Sequence, residues 1–317
     1  MSKKTYLITG ASGFIGSCLF RKLAKQNASI SLILRKQTKL WRIKDILPKA
    51  TVYISDLSNA QKLKKIVAKA KPTIIYHLAA YGAYPCQNDP KKNIQTNILG
   101  TWNLLQALTH REYELFVNTG SSSEYGFKKL PMRETDTLKP ASYYAVTKCS
   151  QTLLCSHIAR EQRRPIITLR PFSVYGPYEK PTRFIPALLK SLYLGEKISL
   201  VSPGFSHDQI FIDDVIKAYL LIDKLKKYGG EVLNIGTGVQ SSIKDVVETA
   251  VKVTGKTTDF KWGETKPRIW DATTWVADVS KAKRLLGWSP EVSLERGLSL
   301  TWEWFKTNHY FYTGRLS

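Results

Sequence analysis

Thr9-Gly10-Ala11-Ser12-Gly13-Phe14-Ile15-Gly16 follows directly on the apolar run at residues 6–9 and opens the first helix-period stretch of the chain. A G-x-x-G-x-x-G run between a strand and a helix has a physical use. Glycine lets the backbone turn tightly and approach a pyrophosphate, and the exposed N–H groups at the helix start carry partial positive charge that favours the anion. Gly10, Ser12, Gly13, Phe14, Ile15 and Gly16 are therefore candidate dinucleotide-binding residues.

Outward from that turn, apolar runs of strand length recur at residues 30–34, 52–54, 74–78, 115–118 and 166–169. Helix-period segments separate them at residues 16–26, 60–70, 94–108 and 144–164. This alternation predicts an α/β fold built on a doubly wound parallel sheet, with ligands at the carboxyl ends of the strands. Past Arg170, prolines at 171, 177, 181, 186 and 203 break the rhythm. A smaller mixed α/β substrate-binding lobe is expected there. Residues 1–170 then form the dinucleotide-binding domain, joined by returning segments near 208–250, and residues 171–317 form mainly the second lobe. Residues 232–235 read as another strand and 243–254 as another helix.

The 317-residue chain carries 48 basic and 25 acidic residues, a formal charge of +23. Such a balance suits polyanions, yet the cations are spread as pairs such as Lys64-Lys65, Lys91-Lys92 and Lys226-Lys227, with no nucleic-acid-binding motif. A solvated lysine-rich surface is expected, and no nucleic-acid partner. Four cysteines without a C-x-x-C pair and five scattered histidines argue for a reducing cytoplasm and against a metal site. No apolar run approaches the roughly 18 residues of a membrane span, so no membrane partner is expected.

The second strand runs into Arg35-Lys36. A dinucleotide fold usually puts an acidic residue there to hold the adenosine ribose 2′-hydroxyl; a cation pairs instead with a 2′-phosphate. NADP(H) is therefore the expected cofactor. Asp56 and Leu57, after the third strand, are placed to meet the adenine edge.

Tyr144 and Lys148 stand at i, i+4 on one helix face, where an ammonium would lower the phenol pKa from about 10 and ready it for proton exchange with a carbonyl. The same spacing recurs at Tyr125/Lys129 and Tyr193/Lys197, so placement decides. Only the Tyr144 pair starts a long helical stretch downstream of Ser121-Ser122-Ser123, at the end of the fifth strand. A hydroxyl there could hydrogen-bond a reacting oxygen.

With these residues in place, the chain resembles the extended short-chain dehydrogenase/reductases that modify nucleotide sugars, a Rossmann-type family. Further matches are His77-Leu78-Ala79-Ala80, Asn97 in Asn97-Ile-Leu-Gly-Thr101, Arg170-Pro-Phe-Ser-Val-Tyr-Gly-Pro177, Gln209-Ile-Phe-Ile-Asp-Asp-Val215, Asn234-Ile-Gly-Thr237 and Val276-Ala-Asp-Val-Ser-Lys281. The resemblance implies Ser121, Tyr144 and Lys148 as the catalytic set. It adds Leu78, Ala79, Ala80 and Asn97 to the cofactor site, where Tyr144 and Lys148 also belong. Ser122, Ser123, Arg183 and Arg268 are candidate substrate-binding residues that the resemblance supports, and His207, which departs from the family by standing where many relatives have arginine, is a candidate to re-aim the diphosphate contacts or read a different base. The resemblance also implies a homodimer built on the helices near 94–108 and 144–164.

Family dehydratases carry an acidic residue or pair where this chain has Ser122 and Ser123. Elimination of water needs titratable groups, so this departure argues against a 4,6-dehydratase unless a register shift brings in Glu124. The reading favoured at this level is NADPH-dependent reduction of a nucleoside-diphosphate 4-keto-6-deoxy sugar at C4, in deoxysugar synthesis for surface polysaccharide, similar to the CDP-abequose/CDP-paratose synthase type. A nucleotide-sugar epimerase using the same three residues is the alternative, and a non-catalytic nucleotide-binding protein the third.

Overall fold

The computed structural model describes residues 4–26, 28–266 and 272–313. Six strands, β1 (Thr5–Thr9), β2 (Ser29–Leu34), β3 (Thr51–Ile54), β4 (Ile74–His77), β5 (Leu115–Thr119) and β6 (Ile166–Pro171), are joined by a seventh from far along the chain, Val232–Ile235. Their order across the sheet is Val232–Ile235, β6, β5, β4, β1, β2, β3, and every neighbouring pair is parallel. The order reverses between β1 and β4, so their carboxyl ends splay apart and leave a crevice, where open α/β sheets bind ligands.

Side chains on one strand alternate between the two faces, and here both faces are covered. Leu7, Ile33, Ile75, Phe116 and Ile166 point to one side, against α2 (Ala60–Ala70), α4 (Gly100–Leu108) and α5 (Tyr143–Glu161). Their neighbours Ile8, Leu32, Leu34, Tyr76, Val117 and Ile167 point to the other, against α1 (Phe14–Ala24) and α7 (Ile212–Leu221). That second core runs on without a break into α6 (Phe184–Leu194), α8 (Ile243–Thr254), α9 (Ser280–Leu286) and α10 (Leu294–Asn308). Near-continuous apolar strands are thus explained by burial on both faces.

Helix ends follow local chemistry. Gly13, with extended backbone, is the N-cap of α1, so the helix begins at Phe14, ahead of the expected residue 16. The expected helix at 94–108 begins earlier, at α3 (Pro90–Asn93), because the Asp89 carboxylate accepts from the N–H groups of Lys91 and Lys92. A π turn over Ile94–Leu99 then carries the chain into α4. Ser142 caps α5 by accepting from Ala145 N–H, and the helix ends at Glu161, short of residue 164, because Arg163 turns left-handed at φ 51°.

Candidate active site

The glycine turn lies at the crevice. Gly10 has φ +73°, and a Cβ there would sit 2.5 Å from the backbone of Leu78 and Ala79, so β1 and β4 can come together only over a glycine. A Cβ on Gly16 would lie 2.2 Å from the Gly10 carbonyl oxygen. Gly13 differs: its Cβ would meet only the Gly10 oxygen, at 3.1 Å. Packing inside the chain does not demand the third glycine, whereas close approach of an anion to the helix start does. Helix α1 has no side-chain cap and no acidic residue in its first turn, which suits that anion. These features fit a dinucleotide pyrophosphate.

Toward the adenosine end, a cleft of about 220 Å³ is lined by Arg35, Asp56, Ser58, Tyr81, Lys92 and neighbouring residues. Arg35 and Lys36 are both exposed, but Lys36 is not among the residues lining the cleft. Lys92, from the far wall, supplies a second cation instead, 3.6 Å from Asp89. Leu57 is a core side chain packed under Gly100, so only its backbone could face a ligand. Asn97, expected at the cofactor, is fully buried. Its amide accepts from Tyr81 N–H (2.8 Å) and donates to the Tyr81 carbonyl (2.8 Å) and the Thr147 hydroxyl (2.9 Å). It braces the loop after β4 against α5. His77 is likewise a core residue, its ring bonded to Thr9 (2.7 Å) and Thr101 (2.8 Å) and its pKa pushed down to about 3 by burial.

Ser121, Tyr144 and Lys148 converge beside this crevice. The Ser121 side chain is near enough to the Tyr144 phenol to favour its ionised form. Burial pushes Tyr144 up to about 12, against the pull of Ser121, where a phenol lowered by Lys148 was expected. The Lys148 ammonium donates instead to the Thr119 carbonyl and the Gln151 amide oxygen. Burial pulls Lys148 down to about 8, against the opposing charge of Glu124.

One of the three serines differs from expectation. The Ser122 hydroxyl is buried and accepts from the Trp275 indole N–H at 3.1 Å, so it supports the site from behind. The Ser123 hydroxyl lies 2.8 Å from that of Ser121. Glu124 is fully buried beneath them, its carboxylate accepting from Ser121 N–H (2.8 Å), the Thr152 hydroxyl (3.0 Å) and Arg170 (2.8 Å). No register shift delivers it to a substrate. At the other end, Arg183 is 3.3 Å from the Glu179 carboxylate, and its charge is felt at Tyr144. Glu179 is buried, which pushes its carboxyl up to about 7 against the pull of Arg183. The His207 ring lies 6.2 Å from that of Trp275, and Arg268 falls outside the described residues. Sequence reasoning missed Lys92, Gln151 and Glu179, since none stands in a motif.

The sequence profile of the NAD dependent epimerase/dehydratase family matches residues 6–236. The chain belongs to this family. It is 32% identical over 322 residues to a UDP-glucuronate 4-epimerase of Thermodesulfobacterium geofontis, covering 96% of each chain. Among solved structures, it superposes on the UDP-glucose 4-epimerase of Thermotoga maritima with UDP-glucose, with a TM-score of 0.87, 27% identity, and 96% and 99% of the two chains covered. The UDP-glucuronic acid 4-epimerase of Bacillus cereus, in complex with UDP-glucuronic acid and NAD, gives a TM-score of 0.84 at 30% identity, with the same coverage. These likenesses support a nicotinamide dinucleotide and a nucleotide sugar as ligand classes for the family to which this chain belongs. Among the described residues no helix is long and apolar enough to cross a membrane, and no group of three or more His, Cys, Asp or Glu side chains could hold a metal.

Removing the Glu124 carboxylate would leave Arg170 charged and unpaired in the interior. Glu124→Ala should therefore cost about 3–5 kcal/mol of stability, seen as a lowered urea midpoint. A change below about 1 kcal/mol would mean that the pair is not holding this region together.

Proposed function

We propose that this chain is a UDP-sugar 4-epimerase that uses Tyr144 as acid/base, Ser121 as the hydrogen-bond partner of the reacting oxygen and Lys148 as the neighbouring cation. The observation that carries the reading is that Ser121 and Tyr144, close enough for one to act on the other's ionisation, share the crevice beside the glycine turn with the buried Lys148, whose ammonium is held at the end of β5. Similarity to the 4-epimerases above favours epimerisation over the ketoreduction expected from sequence. A nicotinamide dinucleotide bound at Gly10–Gly16 would take up a hydride from sugar C4 and give it back, and its oxidised ring would favour a phenolate nearby. Tyr144 accepts the C4 hydroxyl proton as the C–H bond breaks and a ketone forms. Ser121 holds the oxygen through both half-reactions. When hydride returns to the other face of the ketone, Tyr144 gives the proton back, so no net oxidation occurs. Arg183 offers a guanidinium to the diphosphate, with Glu179 fixing its direction.

Incubation with UDP-glucose or UDP-glucuronate and analysis by proton NMR should reveal the 4-epimer without consumption of added nicotinamide. Tyr144→Phe should lower that rate by about 10²–10⁴-fold with dinucleotide affinity little changed. Full turnover by the variant removes Tyr144 from the mechanism.

A reductase remains the second reading, on the strength of Arg35 and Lys92 lining one cleft. Two cations suit a 2′-phosphate, so NADP(H) is the proposed cofactor even though the Bacillus cereus relative was solved with NAD. Arg35→Asp should shift preference from NADP(H) toward NAD(H) by about tenfold or more, measured as the ratio of the two dissociation constants. An unchanged ratio would place the 2′-phosphate elsewhere. Steady loss of NADPH with a nucleoside-diphosphate 4-keto-6-deoxy sugar, and no epimer from either UDP-sugar, would replace the epimerase with the reductase.

We also propose a homodimer. Leu99 and Trp102, on the continuous helix through α4, and Tyr143, Val146 and Leu153, on α5, are 42–66% exposed, forming outward stripes on two helices that flank the same sheet face. Contiguous apolar surface of this kind marks interfaces, and a two-fold axis would bury it on itself. Leu153→Glu should convert the dimer to monomer in sedimentation at micromolar concentration, and a monomeric wild type would sink the idea.

A further inference from the structure

Tyr178 is a non-glycine residue with a left-handed backbone, φ +72°, immediately before Glu179 and five residues before Arg183. A bulky side chain does not adopt this conformation unless its surroundings impose it. The Tyr178 carbonyl is held by Arg42. This guanidinium, 8% exposed, donates from Nε to the Tyr178 carbonyl at 2.6 Å and from Nη1 to the Ser12 carbonyl, in the glycine turn, at 3.3 Å.

Everything around Arg42 keeps it in place. Its guanidinium lies 4.2 Å from the centre of the Trp41 ring, and Arg21, held by Asp45 at 2.6 Å, donates to the Arg42 carbonyl. Arg21 also stacks over the Tyr178 ring at 4.4 Å. From the end of the chain, Trp304 of α10 packs 4.8 Å from the Tyr178 ring centre, and the Tyr312 hydroxyl donates to the Glu179 carbonyl at 2.7 Å. One side chain thus bridges the cofactor turn and the loop that points Glu179 and Arg183 toward Tyr144.

We propose that Arg42 is a positioning residue that couples the two ends of the site: it holds Tyr178 left-handed from the glycine turn, so that ordering that turn sets the Glu179–Arg183 pair for a nucleoside diphosphate. The ligand named rests on the nucleotide-sugar reading above, while the coupling does not. Linkage requires the effect to be reciprocal, so a dinucleotide at the turn and a nucleoside diphosphate at Arg183 favour each other's binding.

Arg42→Met keeps the apolar stem on Trp41 and deletes both donors. In this variant, hydrogen–deuterium exchange over residues 177–184 should rise in the ligand-free protein, and added NADP⁺, which should slow it in wild type, should no longer do so. UDP affinity, by calorimetry, should fall about tenfold, and the KM for UDP-sugar should rise in parallel with kcat held within a few-fold. Glycine adopts φ +72° freely, so Tyr178→Gly should act as a rescue: the loss caused by Arg42→Met should be smaller in that background than in wild type. Arg42→Lys, which keeps the charge and part of the donor set, should lie between and serves if Arg42→Met does not fold.

Additive effects of the two substitutions, or a lowered Tm with unchanged exchange and UDP affinity, would overturn the proposal. Should wild type not bind UDP at all, the nucleotide-sugar reading fails, and exchange over 177–184 with its glycine rescue still decides whether Arg42 positions the loop.

Discussion

A carboxylate with no exposed surface has to find all its partners inside the protein, and Glu124 finds them in three different elements. Its own backbone follows β5, Thr152 comes from α5, Arg170 from β6, and Ser121 N–H from the turn above. Arg170 goes on to the Tyr125 hydroxyl (2.9 Å), which donates to Asn234 in the Val232–Ile235 strand at 2.7 Å. The desolvation cost of a lone ion here is large, so the elements can dock in only the one arrangement that completes the set. Ser121 is fixed relative to Tyr144 as a result. The chemistry at the rim depends on an ion pair that never meets the substrate.

The same logic recurs where the second lobe joins the sheet. Asp208 is fully buried and accepts from Thr237 N–H (2.7 Å), Gly238 N–H (3.0 Å) and Ala277 N–H (3.1 Å), drawing three distant segments to one point. Asp214 does so for the backbone of Glu291 and Val292. These two buried carboxylates are structural, each held by backbone N–H donors.

Much of the sheet was legible because burial on both faces leaves near-continuous apolar runs, and the Ala60–Ala70 and Ile243–Thr254 helices carry their periods openly. The glycine turn was legible for the same reason: its spacing is local. What sequence could not convey were contacts between residues far apart. Nothing in Trp41-Arg42 points to Ser12 and Tyr178, and nothing in Asp89-Pro-Lys-Lys92 points to the wall opposite Arg35. Ser122 was misjudged because the Trp275 indole that occupies it stands 153 positions away. The expected lowering of Tyr144 failed on a physical point. Two residues can share a helix face while the longer side chain turns down to a carbonyl of the neighbouring strand, as Lys148 does toward Thr119.

The strand order also bears on how this chain comes off the ribosome. Six of the seven strands are complete by Pro171, but the partner for the outer edge of β6 is not made until Ile235. Through that interval a strand that the finished fold buries on both faces has one unpaired side, and the Tyr125 hydroxyl lacks its Asn234 acceptor. Exposed edges of this kind recruit other chains. The nascent chain thus carries an open edge while the stretch from 172 to 235 is being translated, the kind of surface that chaperones cover.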